Sequence, residues 1–342
     1  MRLQSNLIAR EGDMLETFEG LIFDVKGFLH PYDRVIAYLR YYPDVLGSRC
    51  RMGVRYNRVY DLGERTKLLK DRWPLYLYNS IVLHRQVQAV PNERVKHRYV
   101  PARMIAELQH RRDLDKLQSL ACDMAQTLAT EAHIPISNIG ISGSILVGLH
   151  TIQSDIDLII YGAEPARACH QRLRALMGNR SSYFNPLGSG DLRDLYVQRV
   201  PTMNLPLATF IEHERPKVFQ GKFKGTQYFL RSVRDWDEMT EKYGDREFYP
   251  LGRTRLTGTV VDDSDSIFTP CKYVLSDVKI VNAERDDVPS EIVSFRGKYC
   301  EQAKRGDRIA AEGLLERVNE KGNSMYRLLI GESSNDHLLR VN

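Results

Sequence analysis

Asn138-Ile139-Gly140-Ile141-Ser142-Gly143-Ser144-Ile145-Leu146-Val147-Gly148-Leu149-His150-Thr151-Ile152-Gln153-Ser154-Asp155-Ile156-Asp157-Leu158-Ile159-Ile160-Tyr161 is the stretch of this 342-residue chain that decides its fold. An apolar strand is expected to run into Gly143-Ser144, where a short helix opens. Such a turn presents backbone N–H groups and a hydroxyl to an anion, at the positive end of the helix dipole. A second strand then carries Asp155 and Asp157. Residues i and i+2 of a strand share a face, so these carboxylates lie side by side, about 6–7 Å apart along the backbone. Ile156, Leu158 and Ile160 take the other face and are expected to bury against helices. Two acids together on an apolar strand repel and desolvate each other. A divalent cation between them removes that difficulty, and hard oxygen ligands favour Mg²⁺ or Mn²⁺.

Gly-Ser, three residues, Gly, six residues, then Asp-Ile-Asp-Leu resembles the signature of the DNA polymerase β-like nucleotidyltransferase superfamily. Within it the segment is most similar to the minimal nucleotidyltransferases, and Ser154 completes their Ser-Asp-Ile-Asp-Leu run. An isolated Asp-x-Asp is more often structural or solvated; the full spacing is far more specific. The likeness covers about 25 residues closely and roughly 135–240 in outline. It implies that Gly143, Ser144 and Ser154 form the nucleotide site, with Gly143 and Ser144 holding the triphosphate, and that Asp155 and Asp157 bind metal. Two departures stand out. Many minimal members have Arg before the second glycine, where this chain has Val147. The family also places a third carboxylate on a later strand, and the strand that aligns, Thr226 to Val233, carries Phe229 at that position. Asp235, of the same parity, is the first substitute and Asp194 the second. The flanking regions resemble archaeal proteins known only as nucleotidyltransferase-domain proteins.

Outward from this segment, the expected class is α+β with three regions. Residues 1–100 are a basic, β-rich N-terminal region, with strands near 18–27 and 34–41 and a helix over 63–72. Residues 101–250 are the nucleotidyltransferase domain. It opens with a helical stretch from Pro101 whose Leu114, Leu117, Ala121, Met124 and Leu128 recur at three- and four-residue spacing. Further helices are expected over 165–177 and 207–218, with a Gly-, Ser-, Asn- and Pro-rich loop over 179–205. Residues 251–342 hold several short strands that suggest a small barrel resembling the oligonucleotide-binding (OB) type; Gly306 to Gly313 is like its curved strand.

The chain carries a net charge of +5, but residues 49–112 hold fifteen Arg or Lys against five Asp or Glu, a net of +10. Tyr56, Tyr60, Trp73, Tyr76, Tyr78 and Tyr99 are threaded among them. That mixture suits phosphate backbones and unstacked bases; it equally suits a solvated basic face whose aromatics are core. Arg49, Arg51, Arg55, Arg58 and Tyr56 are the nucleic-acid contacts expected on the first reading. His150 and the lysines 217, 222 and 224 are weaker phosphate candidates. Glu212-His213-Glu214 lacks a second histidine at metal-ligand spacing and reads as a polar helix face. Five scattered cysteines without a CxxC pair read as free thiols of a cytoplasmic protein. No run is apolar over the roughly 18 residues of a membrane span, so no membrane partner is expected.

The function expected is metal-dependent transfer of a nucleoside monophosphate from an NTP to a hydroxyl of RNA or DNA. The alternative is a catalytically weak nucleotidyltransferase fold serving as a nucleic-acid-binding or regulatory module. Transfer to a protein side chain is a third possibility.

Overall fold

The structure, a computed structural model, describes residues 7–179, 181–200, 204–281 and 284–341. It is a mixed α+β chain that folds as two compact units, each gathered from separated stretches. One takes Met1–Val59, Ala89–Leu187 and Val218–Thr240; the other takes Tyr60–Gln88, Gly188–Lys217 and Glu241–Asn342. The three consecutive regions expected from the sequence are therefore not the division the chain makes. Much of the N-terminal region shares a unit with the Gly-Ser and Asp-x-Asp segment.

In chain order, the first third holds β1 (Met14–Thr17), β2 (Ile22–Val25), β3 (Arg34–Pro43), β4 (Arg49–Arg51), β5 (Val54–Arg58), α1 (Leu62–Arg72), β6 (Leu77–Ser80), β7 (Arg85–Pro91) and β8 (Val95–Tyr99). The middle holds α2 (Pro101–Gln109), α3 (Lys116–Glu131), β9 (Ile139–Ile141), α4 (Gly143–Leu146), β10 (Ile156–Tyr161), α5 (Ala163–Met177), β11 (Phe184–Asn185), α6 (Ser189–Arg199), α7 (Leu207–Glu214), β12 (Gln220–Phe223) and β13 (Thr226–Val233). The last part holds β14 (Arg246–Asp262), β15 (Cys271–Ile280), β16 (Glu291–Ser294), β17 (Arg308–Glu320), β18 (Asn323–Leu329) and β19 (His337–Arg340).

The first unit contains a five-stranded sheet in the order β11-β12-β13-β10-β9, in which β10 runs parallel to β13 and the other pairs are antiparallel. Helices α3 and α5 pack on β10. Ile156, Leu158 and Ile160 are buried, as the alternation predicts. Helix α3 starts where Asp115 accepts hydrogen bonds from the N–H groups of Leu117 and Gln118, and Gln118 reciprocates at the Asp115 N–H. That capping box splits the helical stretch after Pro101 into α2 and α3. On the opposite face of β10, Ile159 and Tyr161 cluster with Val233, Phe28 and Ala102. The N-terminal segment lies there too, since a Cβ on Gly12 would come within 2.5 Å of Ile159. The Ile159 and Tyr161 end of the acid-bearing face is therefore covered, while Asp155 and Asp157 themselves are half-buried. The N-terminal strands form their own antiparallel sheet, ordered β4-β5-β3-β2-β1-β8.

In the second unit β14, β15, β16, β18 and β17 pair in that order, and β17 pairs back onto β14. The five strands thus form a ring, with β16 and β18 parallel and β19 added on β17. Leu256, Val260, Tyr273, Ile292, Ile309, Ala311 and Leu328 fill it. Gly313 on β17 is needed there, because a Cβ would lie 2.5 Å from the Leu329 carbonyl oxygen. Within 179–205, expected to be loop, α6 forms on a cap in which Asp191 accepts the Gly188 N–H. Only Leu192 of α6 is buried, so no apolar period announces it. Positions 180 and 201–203 of that stretch lie outside the described residues.

Candidate functional site

The turn between β9 and β10 is built against the acidic strand. The Ser142 N–H donates to the Asp157 carbonyl at 2.8 Å, closing the end of β9 onto β10. Gly143 then adopts a φ of +62°, and a Cβ placed there would stand 1.8 Å from Asp157 Oδ2. Only glycine meets both conditions. Ser144 follows, 4% exposed, and its Oγ has no hydrogen-bond partner among the described residues. A buried hydroxyl without a partner is uncommon in a folded protein. Ser154, just before Asp155, accepts from the Thr151 N–H at 3.0 Å and from Arg49 Nη1 at 3.3 Å.

Asp157 is the most perturbed carboxylate of the site. Burial, reinforced by the neighbouring Asp155 charge, pushes its pKa up to about 7, against the opposing pull of Arg40, Arg58 and Arg231. Those three cations come from β3, β5 and β13. Burial and repulsion from Arg40 lower Arg58 to about 10, with Tyr41 and Asp155 opposing. Arg231 stays firmly charged: burial works against it, but Asp24, Glu11 and Asp157 outweigh that. Its Nη1 reaches Glu11 at 2.8 Å and Asp24 at 3.3 Å, and Lys26 completes the cluster at 2.7 Å from Asp24. The half-buried acid pair is thus not isolated. It sits beside guanidinium groups supplied largely by the N-terminal sheet.

The register settles what stands opposite the acids. Asp157 pairs with Phe229 across the parallel β10–β13 ladder, and Ile159 pairs with Arg231. Asp235, the expected third carboxylate, is not brought to this place. It lies two residues past the end of β13, whereas Phe229 is the fourth residue of that strand. Its carboxylate accepts the Trp236 N–H at 2.8 Å and pairs with Arg10 at 2.8 Å. Chain direction explains the correction: β13 ends at Val233, and Asp235 caps the turn that follows. Asp194 is exposed on α6, in the second unit. Among the described residues no three His, Cys, Asp or Glu side chains gather as a metal centre.

The basic residues expected to contact nucleic acid mostly point inward. Arg49 Nη1 donates to the Leu149 carbonyl at 2.5 Å. Arg51 pairs with Glu16 at 2.9 Å and donates to the Val147 carbonyl at 3.0 Å and the Tyr99 hydroxyl at 2.8 Å. Tyr56 is 4% exposed, with its hydroxyl 3.2 Å from Arg51 Nη2, so its ring has no free face for a base. Arg58 lies beside the acids. Arg55 is exposed and donates to the Gly47 carbonyl. Arg49 and Arg51 therefore clamp the loop that follows Gly143-Ser144. His150 is held by Asp115 at 2.7 Å, Lys217 by Glu214 at 2.6 Å and Lys224 by Asp123 at 2.6 Å. Sequence reading missed Arg40 and Arg231 as companions of Asp157. For Arg231 a signal existed, because it shares the parity of Phe229 two residues earlier; Arg40 had none.

Comparison with known proteins adds a relative without a described activity. No family model matches the chain, and no solved structure matches it. The chain is 29% identical over 338 residues to uncharacterized protein MJ1086 of Methanocaldococcus jannaschii, covering 95% of this chain and 97% of that protein. The similarity thus runs along both units, and the two chains are of nearly equal length.

Proposed function

We propose that the first unit binds a nucleoside triphosphate at Gly143, Ser144 and Ser154 and transfers its nucleoside monophosphate to a hydroxyl. The acceptor hydroxyl gives its proton to solvent as its oxygen bonds to the α-phosphorus, the bond from that phosphorus to the bridging oxygen breaks, and pyrophosphate leaves. One observation carries the reading: Gly143 stands against the Asp157 carboxylate, so an unpartnered buried Ser144 hydroxyl and two adjacent acids share one small site. The donor set suits a hard divalent cation, because Asp157 without one is buried beside a like charge. Asp155 and Asp157 would hold Mg²⁺ or Mn²⁺, which would offset triphosphate charge when bound. Ser144 would donate to a phosphate oxygen, and Arg49 would fix the loop before Asp155. RNA or DNA is the acceptor on this reading, supported by the C-terminal ring of strands, whose order is similar to the oligonucleotide-binding barrel.

Phe229 favours a second reading, a nucleotide-binding module with little or no turnover, because an apolar ring faces Asp157 where a third carboxylate would activate the acceptor. Incubation with labelled NTPs, Mg²⁺ or Mn²⁺, and RNA, DNA or protein acceptors separates the two. Label transferred by the wild type and lost in the Asp155→Ala, Asp157→Ala double variant supports the enzyme. Metal-dependent NTP binding without transfer supports the module. Absence of NTP binding overturns both.

A further inference from the structure

The second unit holds a cavity of about 240 Å³, lined by Asp61, Leu62 and Gly63 at the start of α1, Arg296 and Lys298 after β16, and the 331–334 loop. Its charges are arranged unevenly. The acids are committed: Asp61 accepts the Glu64 N–H at 2.9 Å, and Glu332 pairs with Arg85 at 2.8 Å. The loop is held from behind by Asp336, whose Oδ2 accepts the N–H groups of Gly331, Glu332 and Ser333. The guanidinium of Arg296, by contrast, makes no hydrogen bond or ion pair with a described residue. Lys298 stands two residues on. Burial, with repulsion from Arg296 and Arg199 outweighing Asp336 and Glu214, lowers its pKa to about 7. Two cations and two carboxylates thus line the cavity, and among them it is the Arg296 guanidinium that has no described partner.

We infer that this cavity is a binding site for a small phosphate monoester, with the phosphate on Arg296 and Lys298 and the hydroxyls of its alcohol toward Asp61, Ser333 and Ser334. A guanidinium, with an amine that a bound phosphate would hold protonated, is the pairing that phosphate recognition uses. Size selects within the class. The volume equals about eight waters and falls below the roughly 300–1,000 Å³ of pockets for larger ligands, so a sugar phosphate fits better than a nucleotide. The site belongs to the second unit and does not depend on the acids of β10.

Calorimetric titration of the full chain with ribose 5-phosphate, inorganic phosphate and ribose tests the inference. Ribose 5-phosphate should bind one to one, inorganic phosphate more weakly and in competition, and ribose not at all. Arg296→Gln and Lys298→Met should each weaken binding at least tenfold, as loss of a charge-assisted contact implies. An Asp155→Asn, Asp157→Asn variant should bind unchanged. Affinity unaltered by both pocket variants, or lost only in the Asp155, Asp157 variant, overturns the proposal and leaves the nucleotidyltransferase reading untouched. Pyridoxal 5′-phosphate gives a readout on the wild type alone, in case a variant fails to fold. Its aldehyde carbon forms an imine with Lys298 Nζ, releasing water, and borohydride reduces the imine to a stable amine. Peptide mapping should find Lys298 labelled ahead of the other lysines, with ribose 5-phosphate protecting it. Labelling spread evenly over surface lysines, or no protection, overturns the assignment.

Discussion

At Gly143 the backbone is left-handed and a carboxylate oxygen fills the space a side chain would need. Gly143→Ala should therefore cost at least about 2 kcal/mol, combining left-handed strain with a displaced Asp157, as chemical denaturation will read. Asp157 itself makes stability depend on pH. Its folded pKa lies near 7, above the roughly 3.9 of an unfolded aspartate, so the native state holds the extra proton. Stability from this group is complete below pH 4 and is lost as pH rises to 7. In chelator, Asp157→Asn should be more stable than wild type at pH 8, with the advantage vanishing toward pH 4. Urea midpoints at several pH values check the sign; a constant difference would refute it. Gly143, Ser144, Asp155 and Asp157 were legible because spacing over fifteen residues expresses them. Their cationic neighbours were not, since Arg40 and Arg58 reach Asp157 from strands about a hundred residues away in sequence, and sheet register alone brings them together.

Two elements decide how the site is held and what it lacks. The β4–β5 hairpin grips the loop after α4 through Arg49 and Arg51. Arg51→Ala would leave Glu16, 4% exposed, with only Lys96 and the Tyr99 hydroxyl, at a cost of about 1.5–3 kcal/mol in unfolding free energy, the scale of a lost charge-assisted hydrogen bond. Because Arg49, Arg51 and Arg58 face inward, replacing them with Arg55 by Ala should lower stability more than it alters oligonucleotide binding. The log–log salt slope should change by no more than about 0.7, one phosphate contact's worth on single strands. A change near 3 would restore the basic hairpin as a nucleic-acid face. The β10–β13 ladder makes a converse prediction. Phe229→Asp should lower the metal-free thermal midpoint, yet enlarge its rise with Mn²⁺ beyond that of wild type; an unaltered metal response would show that the position does not face the acids. The alignment of Phe229 was readable from strand parity. The fate of Asp235 was not, because parity says nothing about where a strand stops.

Across the whole molecule the two units draw on alternating stretches of chain, which no composition shift announced. The basic bias of residues 49–112 suggested a nucleic-acid face or a solvated one, yet Arg58 of that stretch stands beside the acid pair. A fragment of residues 101–250 should accordingly show no cooperative unfolding by circular dichroism, because it lacks the N-terminal residues that cover the acid-bearing face of β10. A sharp transition in that fragment would mean that the first unit stands without them. The same alternation has a bearing on synthesis. Strands β1 to β5 leave the ribosome first, but their unit is complete only when β13 has been made. At roughly 5–20 residues per second, that is a wait on the order of 10–40 seconds with apolar strand faces exposed. During that interval nascent-chain chaperones would find the amino terminus of this protein an open client.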